Sequence, residues 1–144
     1  EVPDEDYTVP LGTAAIRRPG TQVTILAWLL MLHHALRAAD ELAATGIDAE
    51  VIDVRSLAPI DWEVIGASVA RTGRAVIVEE GPRTGGVGAE LGAGIAERCG
   101  ARLRAPIVRV ASPDVPVPFA PVLENAYRPD PERIVAGVRR TLGS

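Results

Sequence analysis

The sequence predicts a three-layer α/β/α domain, with a five-stranded, mainly parallel sheet and one antiparallel edge strand. Short runs of Val, Ile, Leu and Ala alternate along the chain with longer amphipathic stretches that end at glycine. Strands that alternate with helices need crossover connections, which make neighbouring strands parallel. With 144 residues, 47% hydrophobic but only 3% aromatic, the chain has the size of one domain with an aliphatic core.

The first predicted elements are two short strands, at residues 14–17 and 23–27. Arg18, Pro19, Gly20 and Thr21 separate them and place proline and glycine at the central positions of a type II turn. We therefore expect these two strands to pair antiparallel.

Residues 30–45 predict the first helix. The apolar residues recur at helical spacing, polar residues lie on the opposite face, and Gly46 follows as a stop signal. His33 and His34 belong to this helix. Neighbouring helical residues point about 100° apart, so the two cannot chelate one ion, and we interpret both as partly exposed, structural histidines.

The next elements follow the same alternation. A strand at 49–54 precedes a helix that Asp61 caps and Gly73 ends, and a strand at 75–79 precedes a helix at 86–98. A last strand at 107–110 leads into a rigid, proline-rich crossing at 114–121. Asp130 and Pro131 then open the terminal helix.

Composition excludes several classes of function. A net charge of −4 and a pI of about 5.2 argue against a nucleic-acid partner, which needs a basic face. Cys99 has no second cysteine to pair with, which fits a reduced, cytoplasmic setting. The longest apolar run, residues 25–32, is too short to span a bilayer, and no metal-ligand cluster is visible. We therefore expect no membrane partner and no metal site.

The stretch AVIVEEGPRTGGVGAE, residues 75–90, is the centre of the predicted fold. Glu79 and Glu80 end a buried strand, and Gly85, Gly86 and Gly88 lead into the next helix. Two interpretations remain open. The helix start and Arg83 bind an anion or another chain's carboxylate, or the glycines only let loop and helix pack on the sheet.

Other residues in and near this region are candidates for binding a cofactor, for acid-base catalysis or for contacting a partner. The spacing does not match a dinucleotide fingerprint, because Leu91 stands where the third glycine belongs. Adjacent strand residues face opposite sides, so Glu79 and Glu80 do not form a cooperating pair; one of them caps the next helix or binds Arg83. Asp114 is either a simple turn residue or a partner contact. We expect no catalytic or cofactor-binding residue in this chain.

Several collinear motifs carry a family resemblance: EVPDEDYTVPLG, VTILAW, AEVIDVRSLAPID, TGRAVIVEEGPRTGGVGAE and PDVPVPFAP. They resemble the C-terminal domain of the β subunit of thiamine-diphosphate-dependent 2-oxo acid dehydrogenases. These are the E1 components of pyruvate and branched-chain 2-oxo acid dehydrogenase complexes, within the transketolase superfamily. The resemblance covers essentially the whole chain and implies the same five-stranded α/β/α fold.

The resemblance also implies a role. In such enzymes thiamine diphosphate and Mg²⁺ bind between the α subunit and a preceding domain of the β subunit, so this chain alone is expected to be inactive. Its expected partners are the E1 α subunit, a second E1 β subunit in an α2β2 assembly, and the basic subunit-binding domain of the E2 acyltransferase. Asp114 is similar to the family's acidic docking position, and the C-terminal end near Leu142 is expected to lie in the same region. The partner-binding candidates are as follows: Asp114, Arg83, Gly85, Gly86, Gly88 and Leu142.

The turn after the second strand departs from the family pattern. The family usually has glycine after the aromatic residue that ends the second strand, whereas here Leu29 follows Trp28. Either that turn differs or Leu29 and Leu30 reach an apolar surface.

Residues 1–12 are expected to be an interdomain linker and 13–144 the domain. The alternative is a free-standing regulatory module that binds a small anion at the glycine-rich loop.

Overall fold

The computed structural model describes residues 4–143. Five strands and five α-helices form this part of the chain, and the sequence pattern predicts all of them except the short α4. The elements are β1 (Ala15–Arg18), β2 (Val23–Ala27), α1 (Leu30–Ala43), β3 (Ala49–Asp53), α2 (Trp62–Thr72), β4 (Ala75–Pro82), α3 (Val87–Cys99), β5 (Val108–Ser112), α4 (Pro121–Tyr127) and α5 (Pro131–Leu142).

The strands form one sheet in the order β1-β3-β2-β4-β5. β1 is antiparallel to β3, and all other neighbouring strands are parallel. This confirms the predicted three-layer class with its antiparallel edge. The predicted pairing of β1 with β2 is wrong, because β3 lies between them.

The cause of this correction lies in burial and in the connection after β1. Every residue of β2 is buried, which is the environment of a central strand with neighbours on both sides. The guanidinium of Arg18 donates to Ala49 O at 2.5 Å, and Gln22 N donates to Asp48 O at 2.9 Å. The Pro-Gly segment therefore crosses the beginning of β3 instead of closing a hairpin.

Helices cover both faces of the sheet. α1 and α5 pack on one face, over a core that includes Ile25, Val76 and Ile134. α2 and α3 pack on the other face, over a core that includes Leu26 and Ile77. Since β2 and β4 supply residues to both cores, their sequences are mostly apolar instead of alternating, with Thr24 in β2 and the two glutamates near the end of β4 as exceptions.

Two predicted helix starts are confirmed by their caps. The carboxylate of Asp61 accepts from Val64 N at 3.1 Å at the start of α2. Asp130 accepts from Arg133 N at 2.8 Å, with Pro131 in the first turn of α5. Each cap satisfies a backbone N–H that has no partner within the helix.

The segment after β5 differs in part from the prediction. Residues 113–120 have no regular structure, as expected of a proline-rich crossing, but the short helix α4 follows and was not predicted. Pro121 stands in its first turn, where a missing N–H costs nothing. A helix of 7 residues carries too little periodic pattern to be recognised from sequence.

The turn between β2 and α1 keeps the conformation that glycine would take. Leu29 has φ 52° and ψ −134°, a region that L-residues rarely occupy, and its side chain is 74% exposed. Leu30, by contrast, is partly buried against the core. That Leu29 reaches an apolar surface of another subunit stays a prediction.

The first residues of the described part, 4–12, form no helix or strand and are largely exposed. The predicted linker at 1–12 stays a prediction, and its residues 1–3 lie outside the described residues. In residues 4–143 no helix has both the length and the apolar character needed to cross a membrane.

Candidate functional site

The carboxyl ends of β4 and β5 are organised by Glu79. Its carboxylate is 2% exposed and accepts from the backbone N–H of Gly88, in the first turn of α3, at 2.8 Å. Arg109 of β5 donates to its other oxygen at 2.7 Å, forming a largely buried ion pair. Of the two predicted roles for the glutamates, helix capping is confirmed for Glu79, whereas its arginine partner is Arg109 and not Arg83.

The glycines of the loop give Glu79 its space. A methyl group on Gly86 would lie 2.7 Å from the Glu79 carboxylate, and one on Gly88 would overlap the same group. Gly85 has φ +75°, so the turn itself also requires glycine. The Glu79 carboxylate thus caps the N-terminus of α3, and the glycines allow it to pack there.

Arg83 lies between the end of β4 and the glycine turn and reaches across to β5. Its guanidinium donates to Arg109 O at 3.0 Å, while Arg109 donates back to Arg83 O at 2.7 Å. Arg83 N also donates to Ser112 O at 3.0 Å, which extends the contact between the two strands. The two arginines therefore fasten the loop after β4 to the edge strand.

Asp114 binds to the same loop. Its two carboxylate oxygens accept from the Thr84 N–H at 2.8 Å and from the Thr84 hydroxyl at 2.7 Å. These two hydrogen bonds, with the positive charges of Arg83 and Arg109, hold the pKa of Asp114 below its ordinary value. Asp114, Arg83 and Gly85 are exposed and lie together at this loop, whereas Gly88 is buried beneath it. Their role in binding a partner stays a prediction.

An exposed apolar strip continues from Asp114. Phe119 is fully exposed, and four further apolar side chains between residues 115 and 123 are more than half exposed. So much apolar surface in one short stretch marks a contact site more often than a random surface feature. The members are Val115, Val117, Phe119, Val122 and Leu123, which we call the apolar strip.

Leu142 does not lie with the other candidates. α5 begins beside the end of β5, where Arg133 donates to Ala111 O at 3.1 Å. It ends at the opposite edge of the sheet, where Thr141 O accepts from Arg74 Nε at 3.0 Å, just before β4 begins. The expectation that Leu142 shares the region of Asp114 is therefore wrong, because the length of α5 carries its end across the sheet. Its side chain packs partly buried against the core.

The two histidines lie outside this surface. His34 Nδ1 lies 2.9 Å from Pro129 O, so His34 links α1 to the connection before α5, as a structural histidine would. His33 is exposed and lines a cavity of about 610 Å³ beside Trp28 and Leu29. The two side chains do not converge on a common site.

The described residues do not fit thiamine diphosphate with its metal ion. Within residues 4–143 no three His, Cys, Asp or Glu side chains are grouped to hold a metal. The start of α3, the natural place for a diphosphate at the carboxyl edge, is occupied by Glu79.

Sequence reasoning missed a second buried polar cluster, at the other side of the molecule. Glu50 of β3 is 2% exposed and pairs with Arg71 of α2 at 2.6 Å. The Ser68 hydroxyl donates to Glu50 and also contacts Thr24, so all these groups are satisfied. A glutamate inside a predicted buried strand, with an arginine in the last turn of the next helix, was the available signal.

Fold and surface together define a class: an α/β/α domain that has no group of three metal-ligating side chains in its described part and that carries the apolar strip beside its glycine-rich loop. Residues 12–134 match the family "Transketolase, C-terminal domain". The chain belongs to this family.

Relatives span almost the whole chain. It is 42% identical over 142 residues to the "Pyruvate dehydrogenase E1 component subunit beta" of Bacillus subtilis (strain 168), covering 99% of this chain and 43% of that protein. It is 50% identical over 142 residues to the "2-oxoisovalerate dehydrogenase subunit beta" of Pseudomonas aeruginosa, covering 99% of this chain and 39% of that protein. The chain thus spans less than half the length of these relatives.

A solved structure gives the same result for the fold. "Split gene transketolase, inactive beta4 tetramer" is 35% identical, with a TM-score of 0.80, covering 99% of this chain and 45% of that one.

Proposed function

We propose that this chain is the assembly and docking domain of a 2-oxo acid dehydrogenase E1 β subunit. The observation that carries the proposal is its similarity, along 99% of its length, to two such β subunits. The whole enzyme would oxidatively decarboxylate a 2-oxo acid and pass the acyl group to a lipoyl group on E2. The domain itself would supply contacts and no catalytic residue.

The apolar strip supports a role in assembly. Its side chains lie outside both cores of the domain, so exposing them to water brings no benefit to the fold. Burying Phe119 and its neighbours against another subunit would recover roughly 25 cal/mol for each Å² of apolar area. Contacts with a second β subunit and with the α subunit are the occupants that this proposal assigns to the strip.

Asp114 supports a role in docking E2. A carboxylate can accept about four hydrogen bonds, and Thr84 uses two of these positions. The remaining lone pairs can accept from an arginine of a basic subunit-binding domain. Arg83 and Arg109 lie nearby, so a partner that docks here has to present an acidic group beside its basic one.

Thiamine diphosphate and Mg²⁺ belong to other parts of the proposed enzyme. They would bind between the α subunit and a preceding domain of the β subunit. This assignment agrees with the described residues, which offer no grouped metal ligands, and with the occupied start of α3. The cytoplasm is the proposed location of the assembled enzyme.

The proposal is tested by size-exclusion chromatography with light scattering. The chain is run alone and with an E2 subunit-binding domain, and then as the Asp114→Ala and Phe119→Ser variants. We expect co-elution with E2 that Asp114→Ala weakens, and self-association that Phe119→Ser weakens. Asp40→Ala, on the exposed face of α1, is the matched control and should change neither.

If Asp114→Ala binds E2 as tightly as the unchanged chain, Asp114 is not the docking residue. If neither self-association nor E2 binding occurs, the measurement is repeated on the β subunit with its preceding domain and with the α subunit. Absence of both contacts there rejects the docking and assembly role.

A further inference from the structure

Three arginines that form no salt bridge within the described residues line a cleft between the outer edge of β5 and helix α5. One of them, Arg83, also lowers the pKa of the Asp114 carboxyl by its charge. The cleft has a volume of about 240 Å³ and is lined by Arg83, Arg109, Val110, Ala111, Arg133, Ala136, Gly137 and Arg140. Among the described residues, only Arg109 of these arginines forms a salt bridge, with Glu79. The remaining positive charge is therefore carried by Arg83, Arg133 and Arg140.

Two of these three guanidiniums are held in place by backbone carbonyls. Arg133 donates to the carbonyls of Tyr127, Arg128 and Ala111 at 3.1 to 3.3 Å. Arg83 donates to the carbonyl of Arg109 at 3.0 Å. A carbonyl orients a guanidinium but carries no negative charge to neutralise it, so the cleft stays positive.

The third guanidinium completes the cleft. Arg140 follows Arg133 by two helical turns, which places both on the same side of α5. It is exposed and makes no salt bridge within the described chain. Gly137, between them, lets the helix approach β5 closely, since a methyl group there would lie 2.7 Å from Val110 Cγ2. The result is a shallow depression with small residues at its base and arginines around it.

The concentration of positive charge stands out against the rest of the protein. The chain has a net charge of −4, and all of its 15 basic residues are arginine. Like charges at one cleft repel one another, and this cost is recovered when an anion binds between them. Arginine also offers paired N–H donors that match the oxygens of phosphate and carboxylate.

We propose that this cleft binds the phosphoryl group of a small molecule. A phosphate dianion has three or more oxygens and about two charges, so it can accept from several guanidiniums at once. A single carboxylate carries one charge and is satisfied by one arginine fork. The number of uncompensated guanidiniums therefore favours the phosphoryl group. This inference stands independently of the docking role, because it concerns the chain without any partner.

The test is titration calorimetry on the folded chain at low ionic strength. The probes are inorganic phosphate, pyrophosphate, a simple phosphate monoester and the dicarboxylate malonate. We expect the phosphates to bind and the malonate to bind more weakly. Arg140→Gln and Arg83→Gln should each weaken phosphate binding about tenfold, the usual effect of losing one charge-assisted hydrogen bond.

Arg37→Gln is the matched control, since Arg37 is also exposed on a helix but lies on α1. It should leave phosphate affinity unchanged. Melting curves without phosphate establish that each variant is folded. The relative affinities of inorganic phosphate and the monoester distinguish a free-ion site from a site for a phosphorylated metabolite.

Three results would overturn the proposal. The first is that phosphate at about 10 mM produces neither heat nor a shift in melting temperature. The second is that Arg37→Gln weakens phosphate binding as much as Arg140→Gln does, which would mean that binding is general charge attraction. The third is that malonate binds more tightly than every phosphate probe, which would assign the cleft to carboxylates.

Discussion

Both carboxylate oxygens of Asp114 accept hydrogen bonds from Thr84, one from its backbone N–H at 2.8 Å and one from its hydroxyl at 2.7 Å. This pair connects the proline-rich segment after β5 to the glycine-rich loop after β4, 30 residues earlier in the chain. Any partner that uses Asp114 therefore also contacts a loop whose position Thr84 sets.

The first prediction concerns the pKa of Asp114. Because hydrogen bonds from Thr84 stabilise the charged form, the carboxyl should titrate below its ordinary value of 3.8. Thr84→Val removes the hydroxyl donor but leaves the N–H, so the pKa should rise part of the way back. Carbon-detected NMR titration of the carboxyl measures both. Thr84→Ser keeps the donor and is the control.

The same shift links stability to pH. A carboxyl whose pKa is lower in the folded state stabilises the fold above its unfolded pKa, and this contribution disappears as pH falls through the folded value. The contribution of Asp114 should therefore be lost below about pH 4. If Asp114 titrates at or above 3.8, its hydrogen bonds with Thr84 do not stabilise the charged form.

The second prediction concerns the ion pair of Glu79 and Arg109. Glu79→Gln leaves a largely buried guanidinium without a counter-charge, which should destabilise the fold by about 2 to 4 kcal/mol. Urea unfolding followed by circular dichroism measures the loss. Glu97→Gln is the control, because Glu97 pairs with Arg98 in solvent, and such pairs contribute less than about 1 kcal/mol. Equal losses in the two variants would mean that burial of Glu79 is unimportant.

The third prediction separates the two interpretations of the glycine-rich loop. Gly88→Ala would push the Glu79 carboxylate from the start of α3 and should destabilise by about 1 to 3 kcal/mol. Gly92→Ala, one turn later in the same helix, meets only Ile77 Cδ1 at 3.8 Å and should stabilise by about 0.5 to 1 kcal/mol. Thermal unfolding compares the two. If Gly88→Ala leaves stability unchanged, Gly88 is not needed for packing, and the interpretation that the loop binds an anion or another chain is favoured.

The fourth prediction concerns the strained turn at Leu29. Glycine accepts φ 52° without strain, although it also increases the entropy of the unfolded chain. The balance should make Leu29→Gly more stable by about 1 kcal/mol. Leu29→Ala keeps the strain but removes the exposed side chain, so it should change the melting temperature little. If Leu29→Ala stabilises as much as Leu29→Gly, exposure and not backbone strain is the cost.

Much of the fold followed from local patterns. The caps at Asp61 and Asp130, the glycine stops at Gly46 and Gly73, and the buried run of β4 are signals contained in a few consecutive residues. The candidate site was located for the same reason, since the end of β4 and its glycines lie together in sequence. Its position near Asp114 depended on the family resemblance.

Apart from the short helix α4, which has too little periodic pattern to be recognised, the errors concerned which distant segments meet. The partner of β1 depends on the path of the connection at Pro19 and Gly20, and both pairings suit the same local sequence. Leu142 was misplaced because the direction of α5 relative to the sheet is not written in its own pattern. Arg109 was overlooked because an arginine in a strand is normally interpreted as solvent-facing. Only the structure shows its buried partner, Glu79.

The sequence by itself determined the class of fold, the strands and the longer helices, because these depend on hydrophobic periodicity and on capping residues within one short stretch. The tertiary structure alone decided the order of the strands, the identity of the carboxylate that caps α3, and the gathering of Arg83, Arg133 and Arg140 around one cleft. These features depend on long-range packing and electrostatics, which join residues that no local pattern connects.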